Sequence, residues 1–243
     1  MNEKKTDILI IGLGLAGMTA AMTSAKNGKK VTIITKTKTH QSGNTPWAQG
    51  GIVYKGINDS PEKLKKDIMK AGAGHCWEEA VDHICNHGPR LVKEILLDTI
   101  HSEFNREDNS LKRVSEGAHS EPRVIYNADQ TGKSIFDAFI SYLETLDNIE
   151  ILTNHIAIDL LTFSHHSTES TDIYKKPACF GAMVLDSQKN QVIAMLASKT
   201  ILASGGIGQL FLHTTNPKEA TGDGIAMAWR AGARCFNLHY IQF

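Results

Sequence analysis

The sequence carries no net charge and contains no long apolar run. Its 243 residues include 26 lysines and arginines and 26 aspartates and glutamates, so the formal net charge is zero. This balance argues against a protein that binds nucleic acid or an anionic membrane surface. No apolar run approaches the roughly 20 residues that cross a bilayer. The N-terminal residues MNEKKTDILIIG enter a strand without the cleavage site of a signal peptide.

Cysteine is also scarce, and its spacing offers none of the common metal sites. The chain has four cysteines, which form no CxxC pair: Cys76, Cys85, Cys179 and Cys235. Scattered thiols are typical of a reducing compartment, so we predict a cytoplasmic protein without a bound metal. The sequence also has no P-loop and no Ser-His-Asp order.

The order of predicted elements indicates an α/β fold. An apolar run at 7–11 predicts a buried parallel strand, and the apolar spacing over 15–26 predicts a helix that Gly28 ends. With a second strand at 31–34, this is a β-α-β unit of about 30 residues. We predict a Rossmann-like parallel sheet with flanking helices and an antiparallel insertion. The further predicted elements are helices at 61–72, 77–86, 89–98, 132–146 and 224–230, antiparallel strands at 149–163 and 179–198, and strands at 200–203 and 237–243.

The first loop fits the GxGxxG pattern of a dinucleotide-binding site, as Gly12-Leu13-Gly14-Leu15-Ala16-Gly17. In that pattern the first glycine permits a tight turn, the second lets backbone approach a pyrophosphate, and the third lets helix and strand pack closely. The helix that follows presents free amides and a positive dipole end to the phosphates. The motif alone is weak, but its place between a strand and a helix argues against a chance glycine turn.

The acid that would bind a ribose in an NAD-binding protein is missing. The second predicted strand ends at Thr35-Lys36, where that pattern has Asp or Glu. Lys36 could contact a phosphate or ribose oxygen, or it could be a solvated surface charge, and the residues leave both open. The departure argues against NAD as the ligand.

Two further segments combine glycine with polar or charged side chains. Residues 42–51, SGNTPWAQGG, predict an ordered loop with a buried Trp47, in which Gly50-Gly51 lets amides approach a ligand. The alternative is an ordinary flexible loop. Glu116, His119 and Arg123 lie within eight residues and suit substrate binding or proton transfer. The alternative for this cluster is a set of surface salt bridges.

Five segments together resemble one group of flavoproteins. In the order found in the succinate dehydrogenase and fumarate reductase superfamily, the chain contains GLGLAG, WAQGGI, EGAHSEPRVIYNADQTG, ILASGGIGQLF and HTTNPKEATGDGIAMAWRAGA. Within that superfamily it most resembles the L-aspartate oxidase family. The similarity is strong over about 5–53, 116–135 and 199–243, and weak over 55–115 and 150–198.

The resemblance implies FAD as the cofactor and assigns residues to it. The predicted FAD contacts are Gly12, Leu13, Gly14, Leu15, Ala16, Gly17, Lys36, Asn44, Thr45, Pro46, Trp47, Ala48, Gln49, Gly50, Gly51 and Asp223. Lys36 then matches the family's Ser/Thr-Lys pair, which accounts for the missing acid. The predicted catalytic residues are the three charged or polar residues of the cluster named above, Glu116, His119 and Arg123. Among them, Glu116 matches the family's acid that orients the substrate's α-amino group.

One position predicts how the flavin is held. Members of the superfamily that hold FAD covalently use a histidine five residues before the glutamine or glutamate of AQGG or AEGG. Counted back from Gln49, that position is Asn44 in this chain. The resemblance therefore implies a non-covalent flavin.

The activity that the resemblance implies is oxidation of L-aspartate to iminoaspartate, with oxygen or fumarate as the electron acceptor. Because the family's product feeds quinolinate and NAD synthesis, quinolinate synthase is a candidate partner. The family's chains continue past Phe243 into a capping domain, so we expect residues 1–243 to be the N-terminal part of a FAD-binding domain. The alternatives are a non-catalytic flavin-binding remnant and a fumarate or succinate enzyme; Asn44 and the TTNP run argue against the latter.

Overall fold

The computed structural model describes residues 2–41 and 43–241, which form two compact units. We call Met1–Thr45 with Ile140–Phe243 the sheet unit, and Pro46–Phe139 the helical unit. The strands are β1 (Asn2–Ile11), β2 (Val31–Ile34), β3 (Ile52–Val53), β4 (Arg106–Glu107), β5 (Ser110–Leu111), β6 (Arg113–Val114), β7 (Val124–Ile125), β8 (Ile149–Leu152), β9 (His155–Thr162), β10 (Cys179–Asp186) and β11 (Gln191–Leu202). The helices are α1 (Leu15–Lys26), α2 (Pro61–Ala71), α3 (Glu78–Leu91), α4 (Thr131–Leu143), α5 (Phe163–His166) and α6 (Asp223–Arg230).

A six-stranded sheet organises the sheet unit, in the order β8-β2-β1-β11-β10-β9. The strands β8, β2, β1 and β11 are parallel, whereas β10 and β9 pair antiparallel at one edge. This arrangement confirms the predicted α/β fold with a parallel sheet and an antiparallel insertion. One face of the sheet packs into a buried cluster with α6, formed by Leu9, Ile11, Ile34, Leu160, Ala182, Val184, Met195, Ala197 and Met227.

The unit β1-α1-β2 follows from local sequence pattern. All four residues of β2 are buried, as are the last residues of β1, because a central parallel strand is covered on both faces. The buried residues of α1 recur at spacings of three and four, so one face of the helix packs inward. Gly28 follows the helix with a φ of 73°, a conformation that ends helices.

Two predicted strand boundaries are wrong. The stretch 149–163 is two strands, and β8 pairs parallel with β2 whereas only β9 is antiparallel. Asn154 lies between them with a φ of 56°, a left-handed conformation that interrupts a strand. The strand predicted at 200–203 is the end of β11, which pairs parallel with β1 over 193–202 and antiparallel with β10 over 191–196.

The helical unit contains the helices predicted at 61–72, 77–86 and 89–98, but the last two are continuous. Helix α3 passes through Pro89 and continues as a π-helical segment, Val92–Thr99. Because Pro89 has no amide hydrogen, the carbonyl of Cys85 receives no i to i−4 bond from it, and wider turns follow. A cluster of Leu64, Val81 and Cys85 holds α2 against α3. Beside them lies a small sheet in the order β3-β7-β6.

The strand predicted at 237–243 is wrong over its described part. Asn237 has a φ of 59°, and the Tyr240 amide donates to its carbonyl at 3.1 Å, which closes a turn. Gln242 and Phe243 lie outside the described residues, as does Ser42 of the predicted glycine-rich loop. Within residues 2–41 and 43–241, no helix has the length and apolar character needed to cross a bilayer.

Candidate cofactor site

The glycine loop between β1 and α1 is fixed by two close backbone contacts. Gly12 has a φ of 115°, and a Cβ there would lie 2.2 Å from the carbonyl oxygen of Ala203. A Cβ on Gly17 would lie 2.1 Å from the carbonyl oxygen of Gly12. Gly14 differs, because a Cβ there would meet only the Thr45 hydroxyl, at 3.5 Å. The first and third glycines therefore serve packing, and the second borders open space.

The N-terminus of α1 is suited to an anion. Its N-cap is Gly14, which has no side chain to cap the helix, and its first turn contains no acid. The Leu15 amide donates to Thr45 Oγ1 at 3.1 Å. The amides of Ala16 and Gly17 have no acceptor within the helix, since the first turn of any helix leaves its donors unpaired. Together with the helix dipole, these donors favour a phosphate.

This loop borders a cavity of about 310 Å³ in the sheet unit. The cavity lies where β1, β2 and β11 end, and the carboxyl ends of parallel strands are where α/β sheets bind ligands. It brings together nine of the predicted contacts: Gly12, Leu13, Gly14, Leu15, Ala16, Lys36, Asn44, Thr45 and Asp223. Its lining also includes residues that the sequence analysis did not assign to a site: His155, Ile156, Ala157, Ala203, Ser204, Gly205, Gly206, Glu219, Ala220 and Met227.

Lys36 is not a free surface charge. Its Nζ donates to Thr221 Oγ1 and to Asp223 Oδ2, each at 2.6 Å, and Thr221 donates to the other oxygen of Asp223 at 2.7 Å. Burial raises the pKa of Asp223, but the hydrogen bonds from Lys36 and Thr221 outweigh it and leave the pKa below its ordinary value. The cavity therefore has an ionised carboxylate and an ammonium group at the edge where β2 ends.

Some of the unassigned lining residues have a local signal in the sequence, and others have none. Ala203 to Gly206 follow directly after β11, so a strand end with two glycines was an available signal. His155 to Ala157 enter the site because β8 pairs with β2 across more than a hundred residues. That pairing leaves no local mark in the sequence. In addition, Asn44 Nδ2 donates to Asn216 Oδ1 at 3.1 Å, a second contact from a distant segment.

Of the other seven predicted contacts, Gly17 lies in α1 and does not line the cavity, and the remaining six lie in the helical unit. Pro46, Trp47, Ala48, Gln49, Gly50 and Gly51 begin that unit, and their contribution to cofactor binding stays a prediction. Trp47 is 70% exposed, so the expectation that it is buried is wrong. Gly51 is tightly enclosed, since a Cβ there would lie 2.5 Å from a methyl group of Val124. Gly51 therefore packs against β7, in agreement with an ordered segment.

Glu116, His119 and Arg123 share one segment but differ in environment. Glu116 is exposed, and its Oε1 lies 3.2 Å from the point that a Cβ on Gly50 would occupy. His119 is half-buried, and its Nδ1 has no hydrogen-bond partner among the described residues. Arg123 is fully buried. The structure thus brings Glu116 next to the glycine pair and withdraws Arg123 from solvent.

Arg123 is the centre of a buried ion cluster. Its Nε and Nη2 donate to the two oxygens of Asp59, each at 2.8 Å, and its Nη1 donates to Asp67. The hydrogen bonds that Arg123 donates to Asp59 more than offset burial and raise the pKa of Arg123 above its usual range. All three nitrogens of the guanidinium are engaged, so this geometry favours a structural role for Arg123 over the predicted substrate contact.

A protein-family model described as "FAD binding domain" matches residues 7–243. The chain belongs to this FAD-binding domain family. Curated relatives include the chloroplastic L-aspartate oxidase of Oryza sativa subsp. japonica, 40% identical over 99% of this chain and 36% of its own. Another is L-aspartate oxidase 1 of Ralstonia nicotianae, 37% identical over 98% of this chain and 43% of its own. The chain therefore spans less than half the length of these relatives.

Solved structures agree with this fold. A variant of E. coli quinol fumarate reductase superposes with a TM-score of 0.84 at 24% identity, over 95% of this chain and 37% of that one. The Mycobacterium smegmatis Sdh1 complex gives a TM-score of 0.81 at 24% identity, over 95% of this chain and 39% of that one. At this identity the likeness establishes the shared architecture alone.

The cavity of this FAD-binding domain fits the cofactor that its family binds. A dinucleotide has a pyrophosphate, which matches the uncapped N-terminus of α1 and the open space at Gly14. It also has ribose hydroxyls. The ionised Asp223 can accept hydrogen bonds from these hydroxyls, and the Lys36 ammonium can donate to them. The donor set therefore suits FAD, and these residues would hold its phosphates and sugar.

Replacing Lys36 with methionine is expected to weaken FAD binding by about 1.5–3 kcal/mol, roughly 10-fold or more, because hydrogen bonds to a charged group are lost at the cavity. Lys4→Met is the matched control, since its ion pair with Glu150 has similar exposure, 34% and 42% against 29% and 43%, and its lysine does not line the cavity. Quenching of flavin fluorescence gives both affinities. Equal affinities for the two variants would remove Lys36 from the cofactor site.

Proposed function

We propose that this chain is the FAD-binding part of an enzyme that oxidises L-aspartate to iminoaspartate. The observation that carries the proposal is identity of 35–40% to several L-aspartate oxidases over 98–99% of this chain. Identity at that level extends across both compact units, including the segment with Glu116. The electron acceptor proposed is oxygen or fumarate.

The residues of the chain would bind and orient. FAD, when bound, supplies the hydride-accepting chemistry. The glycine loop, Lys36 and Asp223 would hold the cofactor, and Glu116 would orient the α-amino group of the substrate through a charge-assisted hydrogen bond. The two carboxylates of aspartate require cationic partners, and the burial of Arg123 indicates that it is not one of them.

Anaerobic mixing of the FAD-loaded protein with single substrates tests the proposal. L-aspartate should bleach the oxidised flavin absorbance, whereas D-aspartate and L-glutamate should leave it unchanged. Bleaching by succinate instead would favour the alternative of a succinate or fumarate enzyme, whose fold the solved structures share. A yellow protein that no substrate bleaches would favour the alternative of a non-catalytic flavin-binding protein.

In protein that L-aspartate bleaches, Glu116→Gln should weaken substrate binding by roughly 1–3 kcal/mol, because a charged acceptor becomes neutral. The measurement is the L-aspartate concentration at half-maximal bleaching. Glu107→Gln is a control of the same chemistry, at an exposed position of the β4–β5 hairpin in the same unit. An unchanged half-maximal concentration in Glu116→Gln would exclude Glu116 from the substrate site.

The flavin is proposed to be non-covalent, because Asn44 has no nucleophilic ring nitrogen at the position where covalent relatives have histidine. Acid precipitation should then release all of the flavin into the supernatant. A cytoplasmic location is proposed on the four cysteines, none of which is paired in the part of the chain that the structure describes. Quinolinate synthase is the proposed partner on the ground that iminoaspartate is its expected substrate.

A further inference from the structure

One carboxylate oxygen ties the turn that carries Glu116 to helix α2. Asp67 Oδ2 accepts hydrogen bonds from the amide and the hydroxyl of Ser120, each at 2.8 Å, and from Arg123 Nη1. Asp67 is 7% exposed, and its bond from Arg123 is buried, whereas the two bonds from the exposed Ser120 are partly buried. Through this one oxygen, α2 is joined both to Ser120 and to Arg123, the residue before β7.

Glu116 is held from two directions. The His119 amide donates to the Glu116 carbonyl at 2.8 Å, which closes a turn immediately before the anchored Ser120. On the other side, the Glu116 carboxylate lies against Gly50, where an added Cβ would approach Oε1 to 3.2 Å. The missing side chain of Gly50 therefore leaves the room that the carboxylate occupies.

We propose that Asp67 and Gly50 are positioning residues for Glu116, with Asp67 acting through Ser120 and Gly50 through the space that it leaves. The inference rests on the proposed function, in which Glu116 orients the α-amino group of L-aspartate. Asp67 contacts no substrate. It fixes the turn, and the turn fixes the direction of the carboxylate. Asp67 does not line the cofactor cavity and is not among the predicted FAD contacts, so FAD affinity should not change in Asp67→Asn.

Hydrogen exchange tests the anchoring without any substrate. Asp67→Asn should speed exchange of the Ser120 amide about tenfold, because a neutral acceptor replaces a charged one. Ser120→Ala gives a milder variant that keeps the pair between Asp67 and Arg123. Asp186→Asn is the matched control, since Asp186 is 3% exposed and accepts two backbone amides in the sheet unit. Unchanged Ser120 exchange in Asp67→Asn would overturn the proposal.

A double-mutant cycle tests the effect on the substrate. Asp67→Asn and Gly50→Ala should each raise the half-maximal L-aspartate concentration about tenfold, and Asp67→Asn should leave FAD affinity within about twofold of the parent. In a Glu116→Gln background, neither should raise it further, because the group that they position has lost its charge. Additive effects would show that Asp67 acts only on stability, and would overturn the proposal. If L-aspartate does not bleach the parent, the proposed function has failed, and the exchange result alone decides whether Asp67 anchors the turn.

Discussion

Replacing Arg123 with methionine is expected to destabilise the helical unit by about 3–5 kcal/mol, the usual cost of removing one partner from a buried ion pair. Arg123 is fully buried, and the carboxylates that it pairs with, Asp59 and Asp67, are 4% and 10% exposed. Methionine replaces much of the apolar stem but supplies no charge. Two buried carboxylates would then lack a counterion, and the folded unit would have to admit water or bind protons.

Urea unfolding measures this loss. Trp47 and Trp77 lie in the helical unit and Trp229 in the sheet unit, so a Trp229→Phe background reports on the helical unit alone. Arg90→Met is the control, because its pair with Glu94 is exposed, at 63% and 60%, and should contribute no more than about 1 kcal/mol. If Arg123→Met lowers the free energy of unfolding no more than this control does, the ion cluster does not stabilise the fold. That result would favour the predicted substrate role of Arg123.

Acid provides a second measurement on the same cluster. Burial raises the pKa of Asp67, but hydrogen bonds from Ser120 and Arg123 outweigh it and hold the pKa at about 2. The hydrogen bond from Arg123 also keeps the pKa of Asp59 below its ordinary value. Folded values below unfolded ones mean that the stabilisation is present above about pH 4 and is lost as the pH falls toward 2. Arg123→Met should lack this fall, because its carboxylates are no longer paired.

The parts of the molecule that could be predicted from sequence are those set by short-range pattern. The strand at 7–11, the loop at 12–17 and the helix at 15–26 lie within one stretch, and their apolar spacing and glycines report directly on backbone geometry. The same holds for the helices near 61–71 and 131–143, whose amphipathic spacing is clear in the sequence.

The parts that could not be predicted depend on distant pairing. Asp59 and Asp67 lie 64 and 56 residues from Arg123, and the sequence offers no signal that they meet. The sequence alone therefore leaves Arg123 open to substrate binding or to a salt bridge, and only the folded structure shows that it is buried between two carboxylates. The break at Asn154 is a similar case, since alternation over 149–163 continues across a residue whose left-handed backbone separates two strands.

Gly14→Val is expected to abolish FAD binding while the fold is kept. Gly14 has extended backbone angles, φ −81° and ψ −179°, which a β-branched residue adopts readily. Its Cβ would meet nothing closer than the Thr45 hydroxyl at 3.5 Å, an ordinary contact. The branched side chain would instead fill the space through which backbone approaches a pyrophosphate, so the affinity should fall at least about 100-fold.

The neighbouring glycines separate this effect from misfolding. Gly12→Val should lose FAD binding as well, but through lost structure, because its Cβ would lie 2.2 Å from the Ala203 carbonyl oxygen at a φ of 115°. Gly28→Ala has no atom within 4 Å of the new Cβ, and its φ of 73° should cost only about 1 kcal/mol of stability with FAD affinity unchanged. Circular dichroism with urea titration reports the fold, and flavin fluorescence reports the affinity. A folded Gly14→Val variant that binds FAD as the parent does would show that the loop between β1 and α1 does not receive the pyrophosphate, because the added side chain would then stand in the path of the ligand without affecting it.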